Sequence, residues 1–295
     1  MNNKENQLVA WFFVGPALGI IGLFFILPVI AALGLSLTDY DLYALADTRN
    51  LRFVGLHNYS EILHAHLYWK SLLNTVYFVS LGLPLSCGAS LGCALLIHSK
   101  SAYFKGFYRT IFFIPVVTTL VAIAVVWRYI FNTRHGLINS LLAYLGITPI
   151  DWLGNGHLAI LTLVFLAVWK NFGYNMFIFL AGLQSIPQEL YDAAYVDGAS
   201  SWQQLKHITL PMLTPMFIVV SIITISGYFQ VFSEPYVITS GGPLQQTLTS
   251  LYYIYKEGFQ WWHLGKASTI SFILFVIIFI VTTCIVRFGH RKDWI

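Results

Sequence analysis

Long apolar stretches separated by shorter polar ones recur six times along the chain, at about residues 9–37, 72–97, 110–127, 157–183, 210–232 and 267–286. Each is long enough to cross a hydrocarbon core, which needs about 20 residues of helix. None alternates polar and apolar residues with the period of two that a half-buried strand requires. The pattern predicts an all-α polytopic membrane protein of six transmembrane helices. Proline and glycine occur inside the stretches, as at Gly82 to Pro84 and Pro211 to Pro215, which membrane helices tolerate when neighbours re-satisfy the freed carbonyls. Aromatic residues crowd the ends, for example Tyr103, Phe104, Phe107 and Tyr108, or Trp261 and Trp262, at the level of the lipid headgroups. No repeat or linker interrupts the chain, so residues 1–295 read as one transmembrane domain.

Composition agrees with that pattern: 57% of the residues are hydrophobic and 9% charged. Such a chain cannot cover itself with water-facing charge, which excludes a soluble enzyme, a nucleic-acid binder or a disordered scaffold. The first apolar run is too long for a secretory signal core and is expected to stay in the mature protein. Cys87, Cys93 and Cys284 lie within apolar stretches with no paired or metal-ligand spacing. His64 and His66 read as a solvated pair. The loops on the side of the termini carry Lys4, Lys100, Lys105, Arg109, Lys206, Arg287, Arg291 and Lys292; the opposite loops have seven Lys or Arg over nearly twice as many positions. That asymmetry predicts cytoplasmic N and C termini.

The loop at 185–209 reads as two short helices joined by a turn. Ser185 with Gln188 matches a capping box, Ser201 with Gln204 a second, Pro187 sits in the first turn, and Gly198 suits a left-handed stop between them. On helix logic alone an interfacial helix lying on the membrane is the favoured reading. In span four, Lys170 is the only charge deep within a span, which makes it a functional candidate. Asn171, Tyr174 and Asn175 fall on one helical face by three- and four-residue spacing. Span five adds Thr224, Tyr228 and Gln230, with Ser233 and Glu234 at its outer end. Amides and hydroxyls can bond sugar hydroxyls and aromatic faces can pack on sugar C–H surfaces, but the same side chains also serve as hydrogen-bond glue between helices.

Asp192-Ala-Ala-Tyr-Val-Asp-Gly-Ala, followed by Ile208 and Leu210-Pro211, resembles the cytoplasmic EAA motif of binding-protein-dependent ABC importer permeases. Phe53-Val-Gly-Leu-His-Asn-Tyr, Leu72-Leu-Asn-Thr, Phe112-Phe-Ile-Pro, Phe131-Asn, Asp151-Trp-Leu-Gly, Ala181-Gly-Leu-Gln-Ser-Ile-Pro and Gly241-Gly-Pro look like its sugar-importing branch, which includes maltose and glycerol-3-phosphate permeases. The resemblance covers nearly the whole chain; Asp192 departs from the usual Glu. It implies a short cytoplasmic coupling helix, with Glu189, Asp192, Ala193, Ala194, Asp197, Gly198 and Ala199 meeting an ABC ATPase dimer. It also implies substrate contacts in spans four and five, which singles out Lys170, Asn171, Tyr174, Asn175, Thr224, Tyr228, Gln230 and Ser233.

The expected role is that of a non-catalytic permease subunit importing a sugar or oligosaccharide across the cytoplasmic membrane by alternating access. A glycerol-3-phosphate or other polyol-phosphate permease is the alternative, since an ammonium at Lys170 could hold a phosphate. The resemblance implies a second permease subunit and an extracytoplasmic solute-binding protein as partners, besides lipid and the carbohydrate itself. With no Walker-type loop in the sequence, ATP and Mg belong to the partner ATPase and no cofactor is expected in this chain. An ion-coupled carrier is disfavoured because the six spans contain no Asp or Glu.

Overall fold

The computed structural model describes residues 3–99 and 103–290, with side chains undescribed at residues 3–10, 48, 288 and 290. Lys100, Arg291 and Lys292 of the charge asymmetry lie outside the described residues, as does the side chain of Lys4. Four helices are long and apolar enough to cross a membrane, and two bent helix pairs bring the number to six if each pair is one span. Besides shorter helices in the loops, the elements in chain order are α1 (Trp11–Ser36), α2 (His66–His98), α3 (Lys105–Val117), α4 (Leu120–Ile130), α5 (Gly156–Ser185), α6 (Gln188–Val196), α7 (Ser201–Met212), α8 (Thr214–Phe229) and α9 (Leu264–His290). Among the described residues, strand pairing is limited to one isolated antiparallel bridge between Thr38 and Phe53.

The chain divides into two compact units, residues 1–65 with 254–273 and residues 66–253 with 274–295. In the first, the loop after α1 is tied down by buried Asn58, whose amide donates to the carbonyls of Ser36 and Thr38 at 3.0 and 2.8 Å. Gly265 donates its N–H to the Tyr40 carbonyl, and Lys266 pairs with Glu61. Part of the Phe53 motif is therefore a scaffold for this loop.

The second unit is built on α2 and α5, with α8 packed on both. Its core joins Ala94 and Ile97 to Met176, Phe179, Leu180 and Leu183, and to Val220 of α8. Where lipid is as apolar as leucine, such contacts stabilise by close van der Waals packing. Asn74 reaches from α2 to the carbonyls of Gln245 and Leu248, while Thr75 Oγ1 accepts from the Ser250 N–H. The Leu72 motif thus holds the turn that carries the Gly241-Gly-Pro motif. Asn139 likewise closes the loop around Asp151-Trp, donating to the Thr133 and Ile150 carbonyls and accepting from Trp152 Nε1.

Two spans read as single helices are broken. Residues 110–127 do not form one helix: α3 and α4 meet at 96°, with Thr118 and Thr119 extended between them. Pro115 withholds an N–H from the last turn of α3, and two β-branched residues then favour extended backbone. The fifth span is bent by 62° between α7 and α8, where Pro211 and Pro215 flank Leu213.

Candidate functional site

Four turns from its start, α5 presents Asn171, Tyr174 and Asn175 toward α8, which contributes Thr224 and Tyr228. Beyond the end of α8 the chain adds Gln230, Ser233 and Glu234, and Leu120 enters from the start of α4. Together they line a cavity of about 320 Å³. Asn175, Thr224, Tyr228 and Glu234 are buried, whereas Asn171, Tyr174 and Gln230 are exposed at its mouth.

The wall is held by a specific network. Asn175 donates to Ser86 Oγ on α2 at 3.1 Å and to Thr224 Oγ1 at 2.9 Å, joining three helices at one depth. Phe78 packs edge-on against Tyr228 with ring centroids 5.4 Å apart, and Gly82 leaves room for that ring: a Cβ there would lie 2.6 Å from Tyr228 Cε2. The Tyr228 hydroxyl is buried near Ser86 and Asn171 yet completes no well-formed hydrogen bond among the described residues. The Asn171 amide donates to the Ala167 carbonyl at 2.9 Å and the Gln230 amide to the Ser226 carbonyl at 3.0 Å.

Seven of the eight residues singled out in spans four and five thus meet at one cavity. Lys170 does not line it. Its ammonium donates to the carbonyls of Pro115, Val116 and Thr118 at 3.0, 3.4 and 2.9 Å, at the break between α3 and α4. Those carbonyls have lost their helical partners, although that of Pro115 also accepts from Thr118 Oγ1 at 2.7 Å, and a cation at a helix C-terminus is favourably placed. Glu234, at the outer end of span five in the sequence, is by contrast a buried part of the wall. Burial pushes its carboxyl above the ordinary range, against a backbone hydrogen bond and the Lys170 charge, which pull it down.

The coupling loop differs from the expected caps at both helices. Ser185 Oγ turns back to the Gly182 carbonyl because α5 runs through Ser185, and Pro187 caps α6 without a side-chain bond. The second capping box is Ser200 with Gln203, one residue earlier than Ser201 with Gln204. Gly198 has φ +77°, the Ala199 N–H bonds the Ala194 carbonyl at 2.9 Å, and the Gly198 N–H bonds that of Tyr195 at 3.0 Å. This is a Schellman stop. Tyr191 Oη and Thr209 Oγ1, 2.9 Å apart, tie α6 to the turn within α7. Glu189, Asp192, Ala193, Asp197 and Gly198 are exposed, Ala194 and Ala199 partly so, beside uncovered Tyr195, Val196 and Trp202.

Residues 86–292 match the family described as the binding-protein-dependent transport system inner membrane component. The trehalose/maltose transport system permease protein MalF of Thermococcus litoralis is 34% identical over 302 residues, covering 99% of each chain. The sn-glycerol-3-phosphate transport system permease protein UgpA of Agrobacterium fabrum is 33% identical, covering 97% of this chain and 96% of the relative. A chain of a bacterial ABC transporter involved in the import of the acidic polysaccharide alginate has the same fold, with a TM-score of 0.83 at 21% identity over 98% of this chain and 97% of that one. The chain therefore belongs to the binding-protein-dependent inner membrane components: it is a multi-pass, non-catalytic permease subunit of an ABC importer, without a cofactor of its own, whose ATP is bound by an ATPase partner.

Proposed function

We propose that this permease imports a sugar or oligosaccharide, and that the cavity between α5 and α8 is a station on its path. The observation that carries the reading is the convergence of Asn171, Tyr174, Asn175, Thr224, Tyr228, Gln230 and Ser233 on one cavity. Amides and hydroxyls there can exchange hydrogen bonds with sugar hydroxyls, and the Tyr174 ring can pack on a sugar face. The trehalose/maltose relative supports the same substrate class. The glycerol-3-phosphate relative keeps a polyol phosphate as the second reading.

In this reading α6, with Glu189, Asp192, Ala193, Ala194, Asp197, Gly198 and Ala199, seats in an ATPase dimer, and its displacement reaches α5 and α8 through the Schellman turn and the Tyr191–Thr209 contact. A second permease subunit and an extracytoplasmic binding protein complete the complex, and the loop charges set both termini in the cytoplasm. The test is uptake of a labelled panel of mono- and oligosaccharides, with sn-glycerol 3-phosphate, by cells carrying the complete system or lacking this chain. Chain-dependent accumulation of a saccharide is expected. Accumulation of glycerol 3-phosphate with no saccharide would overturn the sugar reading. Purification from native membranes should bring down an ATPase and a second permease; recovery of the chain alone, under conditions that preserve another ABC complex, would refute the assembly.

A further inference from the structure

The chemistry of the cavity wall separates the two substrate classes that the relatives leave open. Among its lining residues there is no Lys, Arg or His, and there is one carboxyl group, Glu234, only 6% exposed. The cation that interacts electrostatically with it, Lys170, is engaged by three backbone carbonyls and stays out of the lining. Two amides at the mouth are oriented by groups that can only accept: Asn171 must turn its NH2 to the Ala167 carbonyl, and Gln230 its NH2 to that of Ser226. Their oxygens remain as acceptors in the wall.

A phosphate or carboxylate needs donors and a cation, and meets acceptors and a carboxyl group here. A hydroxyl-rich neutral molecule brings donors for those acceptors and needs no cation, while the wall hydroxyls of Tyr228 and Ser233 can serve its oxygens. Resting on the reading that this cavity is the substrate path, we infer that it admits uncharged, hydroxyl-rich substrates and rejects anions, with Glu234 as the residue that sets this selectivity. Polyol phosphates and acidic sugars are thereby excluded. Cavities lined by one sign of charge, with low-dielectric walls, change the local concentration of a charged solute by tenfold or more.

The charge filter can be read without knowing the sugar. In the complete complex in native membranes, with Cys87, Cys93 and Cys284 replaced by serine, a single thiol is placed at Gly227→Cys, where a Cβ has open space, or at half-exposed Tyr174→Cys. Reaction rates with anionic and neutral methanethiosulfonates of similar size are each divided by the rate at exposed Leu244→Cys outside the cavity. The normalised anionic rate should be roughly tenfold below the neutral one at both positions. Glu234→Gln should close most of that gap, and Glu234→Lys should reverse it. Equal anionic and neutral rates at both positions would overturn the charge filter, and a gap untouched by Glu234→Gln would remove Glu234 from the role. The path reading fails separately: if neutral labelling at both positions leaves uptake of the transported solute intact, this cavity is not on the path, whatever its charge selectivity.

Discussion

Replacing Lys170 by Met separates a structural role at the α3–α4 break from a role in substrate binding. The substitution keeps an unbranched chain of similar length and deletes the ammonium. Two of its three contacts, at 3.0 and 2.9 Å, are of full strength and the third, at 3.4 Å, is weak. An acceptor deprived of its partner away from water costs about 1–3 kcal/mol, while hydrogen bonds between membrane helices average about 0.6 and reach about 1.7 kcal/mol. The Pro115 carbonyl keeps its bond from Thr118 Oγ1 at 2.7 Å, so only the Thr118 carbonyl is left bare; with about 1–1.5 kcal/mol for that contact and about 0.6 for the other, the loss is about 1.5–2 kcal/mol. For a chain of 295 residues that is a fall in apparent melting temperature of roughly 2–4 °C. The assay is thermal denaturation of the solubilised complex beside the substrate concentration that half-saturates uptake. The expected outcome is a lowered melting temperature with half-saturation unchanged within about twofold, partly rescued by Lys170→Arg. An unchanged melting temperature with half-saturation raised tenfold would refute the reasoning and return Lys170 to the substrate path.

Gly198→Val should leave the protein inserted and folded but lower uptake at least tenfold, since left-handed backbone costs an L-residue about 1–2 kcal/mol and a β-branched one more; normal uptake would show that α6 does not need this stop. Gly82→Ala places a Cβ against the Tyr228 ring and should reduce uptake several-fold by displacing that ring into the cavity, whereas Gly88→Ala on the same helix, with open space around it, should be silent. The anionic rate at Gly227→Cys should depend on pH. A carboxyl raised by burial takes up its proton at a higher pH than an ordinary one, so exclusion of the anionic reagent is full above that raised value and fades as pH falls through it. Lys170 and Tyr228 are the titratable neighbours of this carboxyl. A pH-independent ratio between pH 4 and 8 would contradict an ionising Glu234.

The spans were legible because a stretch of about 20 apolar residues has few other fates. The α5 and α8 faces were legible too: the three- and four-residue spacing of Asn171, Tyr174 and Asn175 survives as one cavity wall. Hydropathy carries no information on backbone direction, so the 96° turn at Thr118 and Thr119 was hidden inside an unbroken apolar run, with Pro115 its only local mark. The same blindness misdirected Lys170. A lone charge in a span signals an unmet partner, but its partners are carbonyls exposed by a bend more than 50 residues earlier in the chain. Glu234 was legible as a residue type and not as a buried one, because the chain turns back after Phe229 instead of leaving the site. The capping boxes slipped by a residue or more because several serines and glutamines in a row satisfy the same spacing in more than one register.

The locked amides also bear on how this permease could change its diet over generations. Asn and Asp codons differ by one base, so aspartate is the nearest acidic variant at position 171; there, however, it would set a carboxylate against the Ala167 carbonyl that now receives an N–H. Lysine is likewise one base from glutamate, and at position 234 it would replace the sole carboxyl group of the wall with a cation in a single step. Lineages drifting toward phosphorylated or acidic nutrients are therefore expected to have passed through position 234 and to have kept asparagine at 171.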